Sequence, residues 1–188
     1  MPASSKTSKA KIFSSGSSVT KMIGTKTLKT GLKLCEDWDL SIDLKLPNQS
    51  TTQWKNVFGL QVEGTTNEGP GSRVPAVFIQ KDQAQVKLHV SYTPFGTKSN
   101  HYYNFPNSFN TGSFINLKIS QNNKVYEIKV DDKLVHKATN PNPKSWSNVK
   151  VVVGNTYGKT FYSTALGDYR NFEIYTCSSS GMTTIGEN

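Results

Sequence analysis

The segment from Tyr92 to Phe105 has the composition of a sugar-binding surface. It contains five aromatic residues together with Asn, His and Lys, and it is interrupted by Pro and Gly. A sugar ring packs its apolar face on an aromatic side chain, while its hydroxyls bind polar groups of Asn, His or Arg. Pro and Gly predict a long loop or irregular hairpin, and long loops of compact sandwiches are often functional. The candidate ligand-binding residues in this segment are Asn100, His101, Tyr102 and Tyr103.

Three more candidate ligand-binding residues lie outside this segment. Arg73 follows a Gly/Pro-rich loop, residues 69–72. His89 is expected to point outward from a strand and to form the floor of a groove. Tyr157 lies in a second aromatic and basic loop, residues 155–162. The alternative is that these side chains pack their loops in place or face solvent.

The carboxylates and histidines lack the spacing of an active site. Retaining glycosidases hold two carboxyl groups about 5 Å apart, and the nearest cluster, residues 36–39 (EDWD), has no second glutamate in register. His89, His101 and His136 lie in different segments without zinc-ligand spacing. A Ser/His/Asp triad is assembled in space and is not excluded by sequence, but no feature points to one. We therefore expect a binding protein with no catalytic residue and no metal ligand.

Two cysteines flank the best-patterned part of the chain. Cys35 opens the first clear strand and Cys177 closes the last one. If these strands pair antiparallel with Cys35 opposite Cys177, Trp38 falls opposite Ile174 and the apolar residues of both strands share one face. We expect a disulfide here, which favours an oxidising, extracellular setting; two free thiols are the alternative. A sequon at Asn48 predicts N-glycosylation and points to the same compartment.

The positive charge is concentrated at the N-terminus. The 188-residue chain carries +9, and seven of its 22 Lys and Arg, but no Asp or Glu, lie in residues 1–33. Residues 1–18 are Ser- and Lys-rich and predict a flexible arm, while residues 19–188 predict a single domain with its core in 35–177. The arm has no Arg for bidentate base contacts, so nucleic acid is not an expected partner. We find neither the apolar stretch of a signal peptide nor a run of about 20 apolar residues for membrane insertion.

Apolar and polar residues alternate along most of the chain after Cys35. Such alternation predicts strands with one buried face, and it includes Trp54, which falls in the same apolar set as Phe58. Residues 74–79 and 149–153 are apolar on both faces and predict central strands. Two dipeptides, residues 122–123 (NN) and 131–132 (DD), favour tight hairpin turns. Because no segment has a helical period, the sequence predicts an all-β sandwich.

Several segments, taken in order, carry a resemblance to a known superfamily. They are residues 54–58 (WKNVF), 71–78 (GSRVPAVF), 112–121 (GSFINLKISQ), 126–133 (YEIKVDDK), 148–151 (NVKV) and 166–175 (LGDYRNFEIY). Together they resemble the laminin-G/pentraxin-like branch of the concanavalin A-like lectin and glucanase superfamily, as found in extracellular invertebrate proteins. The resemblance implies a jelly-roll sandwich of two antiparallel sheets, with the chain ends in neighbouring strands.

The resemblance also implies a range of functions. The glucanase branch uses a Glu-x-Asp-x-x-Glu motif, which this chain lacks, and calcium-binding members use clustered Asp and Asn, whereas residues 131–132 are better explained as a turn. We therefore expect no cofactor and no calcium. The expected function is that of a secreted, lectin-like carbohydrate-binding module, non-catalytic, with anionic glycans favoured by the lysine-rich arm. The alternatives are a protein-binding adhesion module of a multidomain extracellular protein and a glycosidase-like enzyme.

Overall fold

The computed structural model describes residues 9–65, 69–96, 100–109, 111–155 and 162–177, with the backbone alone at Tyr162. Within these ranges, fourteen strands form two sheets of seven. Sheet A contains β1 (Lys9–Ser14), β2 (Thr20–Met22), β4 (Trp38–Lys45), β9 (Ile115–Asn122), β10 (Val125–Val130), β11 (Lys133–Thr139) and β14 (Gly167–Cys177). Sheet B contains β3 (Lys26–Leu34), β5 (Trp54–Val62), β6 (Ala76–Ile79), β7 (Leu88–Tyr92), β8 (His101–Asn104), β12 (Trp146–Val153) and β13 (Tyr162–Thr164).

The strand order is that of a two-sheet sandwich. Sheet A runs β1-β14-β4-β9-β10-β11, with β2 also paired to β14, and sheet B runs β3-β12-β5-β6-β7-β8, with β13 also paired to β5. Every pair is antiparallel except β13 with β5. The prediction of an all-β sandwich is confirmed. No helix that is long and apolar enough to cross a bilayer occurs in the described ranges.

The core lies between the two sheets because alternate residues of each strand point inward. In β4 every second residue is buried, beginning with Trp38, which is fully buried. Its ring stacks on Tyr92 of sheet B at 5.9 Å between centroids, so the two sheets meet through aromatic side chains. Full burial of a large apolar side chain contributes roughly 2–3 kcal/mol to folding.

The pairing of β4 with β14 differs from the predicted register by two residues. Trp38 lies opposite Thr176, and Ile174 lies opposite Leu40. A shift of two keeps every side chain on its own face, so the hydrophobic pattern cannot distinguish the two registers. β4 begins only at Trp38, which leaves Cys35 beyond the paired strand.

Cys35 and Cys177 form the predicted disulfide, with their Cα atoms 5.9 Å apart. Cys35 follows β3 of sheet B and Cys177 ends β14 of sheet A, so the bond links the two sheets. It spans 142 residues of sequence. Closing a loop of that size contributes roughly 4–5 kcal/mol in the chain-entropy account.

The N-terminal lysines do not all lie in a free arm. Residues 9–14, which the sequence placed in the arm, form β1 along β14 at the edge of sheet A. Lys9 contacts Asp39 at 2.7 Å and Lys11 contacts Glu173 at 2.5 Å. Sheet A therefore begins before the predicted boundary at residue 18, and its carboxylates pair with two of the lysines assigned to the arm.

Two tight hairpins place β11 at the edge of sheet A. The β9–β10 turn has positive φ at Asn123 and Lys124, one residue later than predicted. The β10–β11 turn has positive φ at Asp131 and Asp132, as the sequence predicts. Paired positive φ values belong to the two-residue turns that match the twist of antiparallel strands.

Candidate binding surface on the outer face of sheet B

Four rings form an aromatic cluster on the outer face of sheet B, the face turned away from the core. His89 of β7 lies at its centre. The His89 ring centroid is 4.9 Å from that of Trp54, 5.8 Å from that of Phe78 and 5.4 Å from that of Tyr102. Because β5, β6, β7 and β8 are consecutive neighbours in the sheet, each supplies one ring. Tyr102 is 58% exposed, so the cluster reaches solvent at this edge.

A row of polar side chains runs beside the aromatic cluster. The Arg73 guanidinium lies over the Phe78 ring, 5.4 Å from its centroid, and its Nη1 donates to Ser91 Oγ at 3.3 Å. Ser91 Oγ in turn donates to Asn100 Oδ1 at 2.7 Å. Arg73 is largely buried and Ser91 fully so. The guanidinium is thus held in place by its contacts and adds a fixed positive charge to an aromatic surface.

His89 is neutral at physiological pH. Burial, reinforced by the nearby charge of Arg73, outweighs the hydrogen bond to Asn104 and lowers the pKa of His89 to about 4. Its Nδ1 lies 2.6 Å from Asn104 Oδ1. An amide oxygen only accepts hydrogen bonds, so Nδ1 carries the proton and Nε2 keeps a lone pair.

Asn56 adds a buried amide to the same face. It lies opposite Phe78 in the β5–β6 pair, and directly opposed residues share a face. The side chain is fully buried, and neither of its amide atoms forms a hydrogen bond with the described part of the chain. Such groups are rare in native proteins and often mark functional sites.

The structure brings together four of the predicted ligand-binding residues. Arg73, His89, Asn100 and Tyr102 are linked by the contacts given above. His101 and Tyr103 alternate with Tyr102 along β8, so they point to the opposite side of the strand and are not part of this surface. Both instead contact His136 of sheet A. The remaining candidate, Tyr157, lies outside the described residues.

Five residues of this face were missed by the sequence reasoning. They are Trp54, Asn56, Phe78, Ser91 and Asn104. Trp54 was assigned to the core because it alternates with Phe58, but a register shift between Asn56 and Phe58 interrupts the alternation and turns Trp54 to the outer face. A bulge inserts an odd residue and reverses the facing of what precedes it. Phe78 lies in a run of residues that is apolar on both faces, so the pattern does not indicate which side chains point away from the core.

The outer face of sheet A is different in character. A groove of about 440 Å³ there is lined by both charge types, including Asp39, Lys118, Lys129 and Glu173. Asp39 and Glu173 are the carboxylates that pair with Lys9 and Lys11. The hydrogen bond from Lys11 lowers the pKa of Glu173. A glycosidase requires one carboxyl group with a raised pKa to act as general acid, so Glu173 does not fit that role.

The strands of the two sheets also differ in charge. Those of sheet A contain all five strand carboxylates: Asp39, Asp43, Glu127, Asp168 and Glu173. Those of sheet B contain no Asp or Glu, and five lysines: Lys26, Lys29, Lys33, Lys55 and Lys150. The strands of sheet A also contain eight lysines and Arg170, so both sheets carry a net positive charge, but the strands of sheet B contain no carboxylate to pair with it. Nowhere in the described ranges do three or more His, Cys, Asp or Glu side chains form a group able to hold a metal ion.

No family model matches the sequence, and no curated protein is significantly similar to it. Solved structures do match. Domain 4 of AbnA, a GH43 extracellular arabinanase from Geobacillus stearothermophilus, solved with arabinotriose, is 16% identical with a TM-score of 0.55, over 86% of this chain and 77% of that one. The alginate lyase AlyC3 is 14% identical with a TM-score of 0.53, over 83% of this chain and 73% of that one. The fold is a concanavalin A-like jelly roll.

Trypanosoma rangeli sialidase also matches, at 10% identity and a TM-score of 0.52. The match covers 76% of this chain and 21% of the sialidase, so it involves only a part of that enzyme. At such identities the likeness establishes the fold alone, and a fold hosts many functions.

Proposed function

We propose that the outer face of sheet B binds a carbohydrate and that the chain is a secreted, non-catalytic, lectin-like binding module. The observation that carries this proposal is the continuous surface of aromatic rings and polar side chains across four neighbouring strands. Rings pack on the apolar faces of sugars, and the amide and guanidinium groups bind hydroxyls. Two proteins of similar fold support it, since AbnA domain 4 was solved with arabinotriose and AlyC3 with dimannuronate.

The charge of sheet B favours an anionic glycan. Arg73 is the fixed cation beside the aromatic cluster, and a guanidinium binds a carboxylate or sulfate through paired hydrogen bonds. Lys33 and Lys150 extend the positive charge across the outer face, because each lies between inward-pointing buried residues of its strand. The lysines that carry this role are therefore those of β3 and β12, whereas Lys9 and Lys11 pair with sheet A.

The disulfide and the sequon support secretion. A bond between cysteines 142 residues apart is typical of proteins from oxidising compartments. Asn48 lies exposed in the segment between β4 and β5, where an oligosaccharide has room. The finer resemblance to laminin-G and pentraxin modules remains a prediction.

A second candidate function is polysaccharide lyase activity. The neutral His89 has a lone pair on Nε2 and lies beside the exposed Tyr102, and these are the groups that a β-elimination needs as base and acid. Arg73 would stabilise the charge on a uronic carboxylate. AlyC3, an enzyme of similar fold, is an alginate lyase.

A protein-binding role is the remaining alternative. Ile23 and Leu166 are exposed and line one groove beside β2 and β14, but this groove lies at a sheet edge. In the described ranges the other exposed large apolar residues are Val19, Tyr102 and Leu134, and of these only Tyr102 belongs to the sugar-binding surface. Adhesion through an apolar sheet face therefore has less support.

The test compares two tyrosines, one from each outer face. Binding of uronic, sulfated and neutral oligosaccharides is measured by calorimetry for the wild type, Tyr102→Ala and Tyr175→Ala. Loss of one stacking aromatic typically costs about 1–3 kcal/mol, so Tyr102→Ala is expected to weaken binding about five- to hundredfold. Tyr175→Ala, in the groove of sheet A, is expected to leave affinity unchanged.

The outcomes separate the candidate functions. Equal loss in both variants, or in neither, contradicts a site on sheet B. Formation of an unsaturated product from a uronic oligosaccharide, followed by its ultraviolet absorbance, replaces the non-catalytic proposal with the lyase. Absence of binding to every glycan class contradicts both and leaves protein adhesion.

A further inference from the structure

A pair of histidines joins the edges of the two sheets. His101 lies on β8, at one edge of sheet B, and His136 lies on β11, at one edge of sheet A. Their Nε2 atoms are 2.9 Å apart, while their ring centroids are 5.1 Å apart. The rings therefore approach each other nitrogen to nitrogen, across the seam between the sheets.

Aromatic packing holds both imidazole rings in position. Phe95 stacks on His101 at 4.1 Å between centroids, and the edge of Tyr126 approaches the same ring at 5.8 Å. Tyr103 stacks on His136 at 4.6 Å. Both histidines are partly exposed. A ligand at this seam would meet two oriented nitrogens on partly exposed side chains, and oriented ligands lose less entropy on binding.

The protonation of the pair suits metal coordination. Two nitrogens at hydrogen-bonding distance need one N–H donor and one lone pair. Neutral imidazole is the form that ligates metals. When the donor histidine moves its proton from Nε2 to Nδ1, both Nε2 lone pairs become available and no net proton is released.

We propose that His101 and His136 form a binding site for a borderline divalent metal ion, Zn²⁺, Ni²⁺ or Cu²⁺, which bridges β8 and β11. Imidazole nitrogens are ordinary ligands of all three ions. Nitrogens bound at about 2.0–2.1 Å in a tetrahedron lie about 3.3 Å apart. The two Nε2 atoms, now 2.9 Å apart, would have to separate by a few tenths of an ångström, and both rings would have to tilt, because the 5.1 Å centroid distance shows the nitrogens pointing at each other. Water molecules complete the coordination.

The third histidine provides the matched control. His89 is held by Asn104 through Nδ1, and its described ring neighbours are Trp54, Phe78 and Tyr102, none of which supplies a second imidazole. Both cysteines form a disulfide, so no thiol is available as a metal ligand. Of the three histidines, His101 and His136 are the two that contact each other. Substitution of either one removes half of the site, whereas His89→Gln leaves the pair intact.

The test uses untagged, chelator-treated full chain in a non-coordinating buffer. Zn²⁺, Ni²⁺ and Cu²⁺ are titrated separately by calorimetry, and the Cu²⁺ complex is examined by electron paramagnetic resonance. We expect one saturable site per chain, with hyperfine coupling from two imidazole nitrogens. His136→Gln and His101→Gln are each expected to weaken binding at least tenfold, and His89→Gln to leave it unchanged. Binding should also weaken below about pH 6, where imidazoles become protonated.

Two results would overturn the proposal. One is the absence of saturable binding of any of the three ions to the wild type. The other is wild-type affinity in His136→Gln, which substitutes a partly exposed residue of an edge strand and is therefore expected to fold even if His101→Gln does not.

Discussion

An arginine on the outer face of sheet A and an arginine on the outer face of sheet B have different hydrogen-bond and charge partners. The chain has two arginines, and each lies over a phenylalanine: Arg170 over Phe114 at 4.3 Å in sheet A, and Arg73 over Phe78 at 5.4 Å in sheet B. Arg170 also pairs with a carboxylate, that of Asp43, at 3.2 Å. Arg73 instead bonds a serine on a sheet whose strands contain no Asp or Glu.

The two sheets differ in whether their strands contain carboxylates that pair with the cations. Lysines and carboxylates on sheet A form exposed ion pairs such as Lys118 with Asp132 and Lys129 with Glu127. Exposed pairs of this kind contribute about 0–1 kcal/mol each and are typical of a solvated face. On sheet B, Arg73 lies beside aromatic rings and no strand contains Asp or Glu, which makes this face better suited to an anionic ligand. Three comparisons between the sheets test this contrast.

The largest expected effect is on acid stability. The pKa of His89 is about 4 in the folded chain and near 6.5 when unfolded, so its stabilising contribution is complete above pH 6.5 and is lost as the pH falls towards 4. The loss amounts to about 3 kcal/mol at most. Urea denaturation from pH 7 to 4 should show a smaller fall in unfolding free energy for His89→Gln than for the wild type.

The corresponding control on sheet A is Glu173→Gln. The pKa of Glu173 is lowered from 4.5, so its contribution is present above that pH and is lost only as the pH falls below it. Its stability curve should run parallel to that of the wild type from pH 7 to 5. A curve for His89→Gln parallel to the wild type down to pH 4 would show that His89 is not a buried neutral group.

The next largest effect is expected from the two arginines. Arg73→Met should weaken binding of an anionic glycan about ten- to hundredfold, because one charge-assisted hydrogen bond contributes about 1.5–3 kcal/mol. Arg170→Met should leave affinity unchanged. Calorimetry provides the affinities, and circular dichroism checks that both variants fold. Because Arg73 is largely buried, Arg73→Lys is the second variant; full affinity in both Arg73 variants contradicts a role for this side chain.

The smallest effect is expected from the lysines. The double variant Lys33→Gln/Lys150→Gln on sheet B should weaken anionic glycan binding about three- to tenfold at low salt and flatten its salt dependence. The matched double variant on sheet A is Lys118→Gln/Lys129→Gln, for which no change is expected. Equal effects of the two double variants would mean that net charge, and not sheet B, attracts the ligand.

Several features of the fold were predictable because they depend on local pattern. Alternation with period two identified β4 and β9, and the doubly apolar run of residues 149–153 identified the inner part of β12. Asp131 and Asp132 tolerate the positive φ of a tight turn, so their turn was found in place. The disulfide followed from the positions of Cys35 and Cys177 at the two ends of the paired region.

The candidate site was only partly predictable because it depends on which strands are neighbours. Composition indicated Arg73, Asn100 and Tyr102, but a segment rich in aromatic residues supplies both faces of β8. The structure places Tyr102 in the aromatic cluster on the outer face of sheet B and His101 at the seam with sheet A. Alternation predicts that adjacent residues of a strand point to opposite faces of the sheet, but it does not indicate which of the two residues points away from the core.

By itself, the sequence predicted an all-β sandwich, a disulfide between Cys35 and Cys177, and segments rich in aromatic and polar side chains. Burial of alternate apolar residues and the chemistry of turns act over a few residues, so they can be read directly from the chain. Tertiary structure alone decided the two-residue shift between β4 and β14, the outward turn of Trp54 and the pairing of Lys9 and Lys11 with sheet A. These depend on the free energy of contacts between segments far apart in sequence, which no local pattern records.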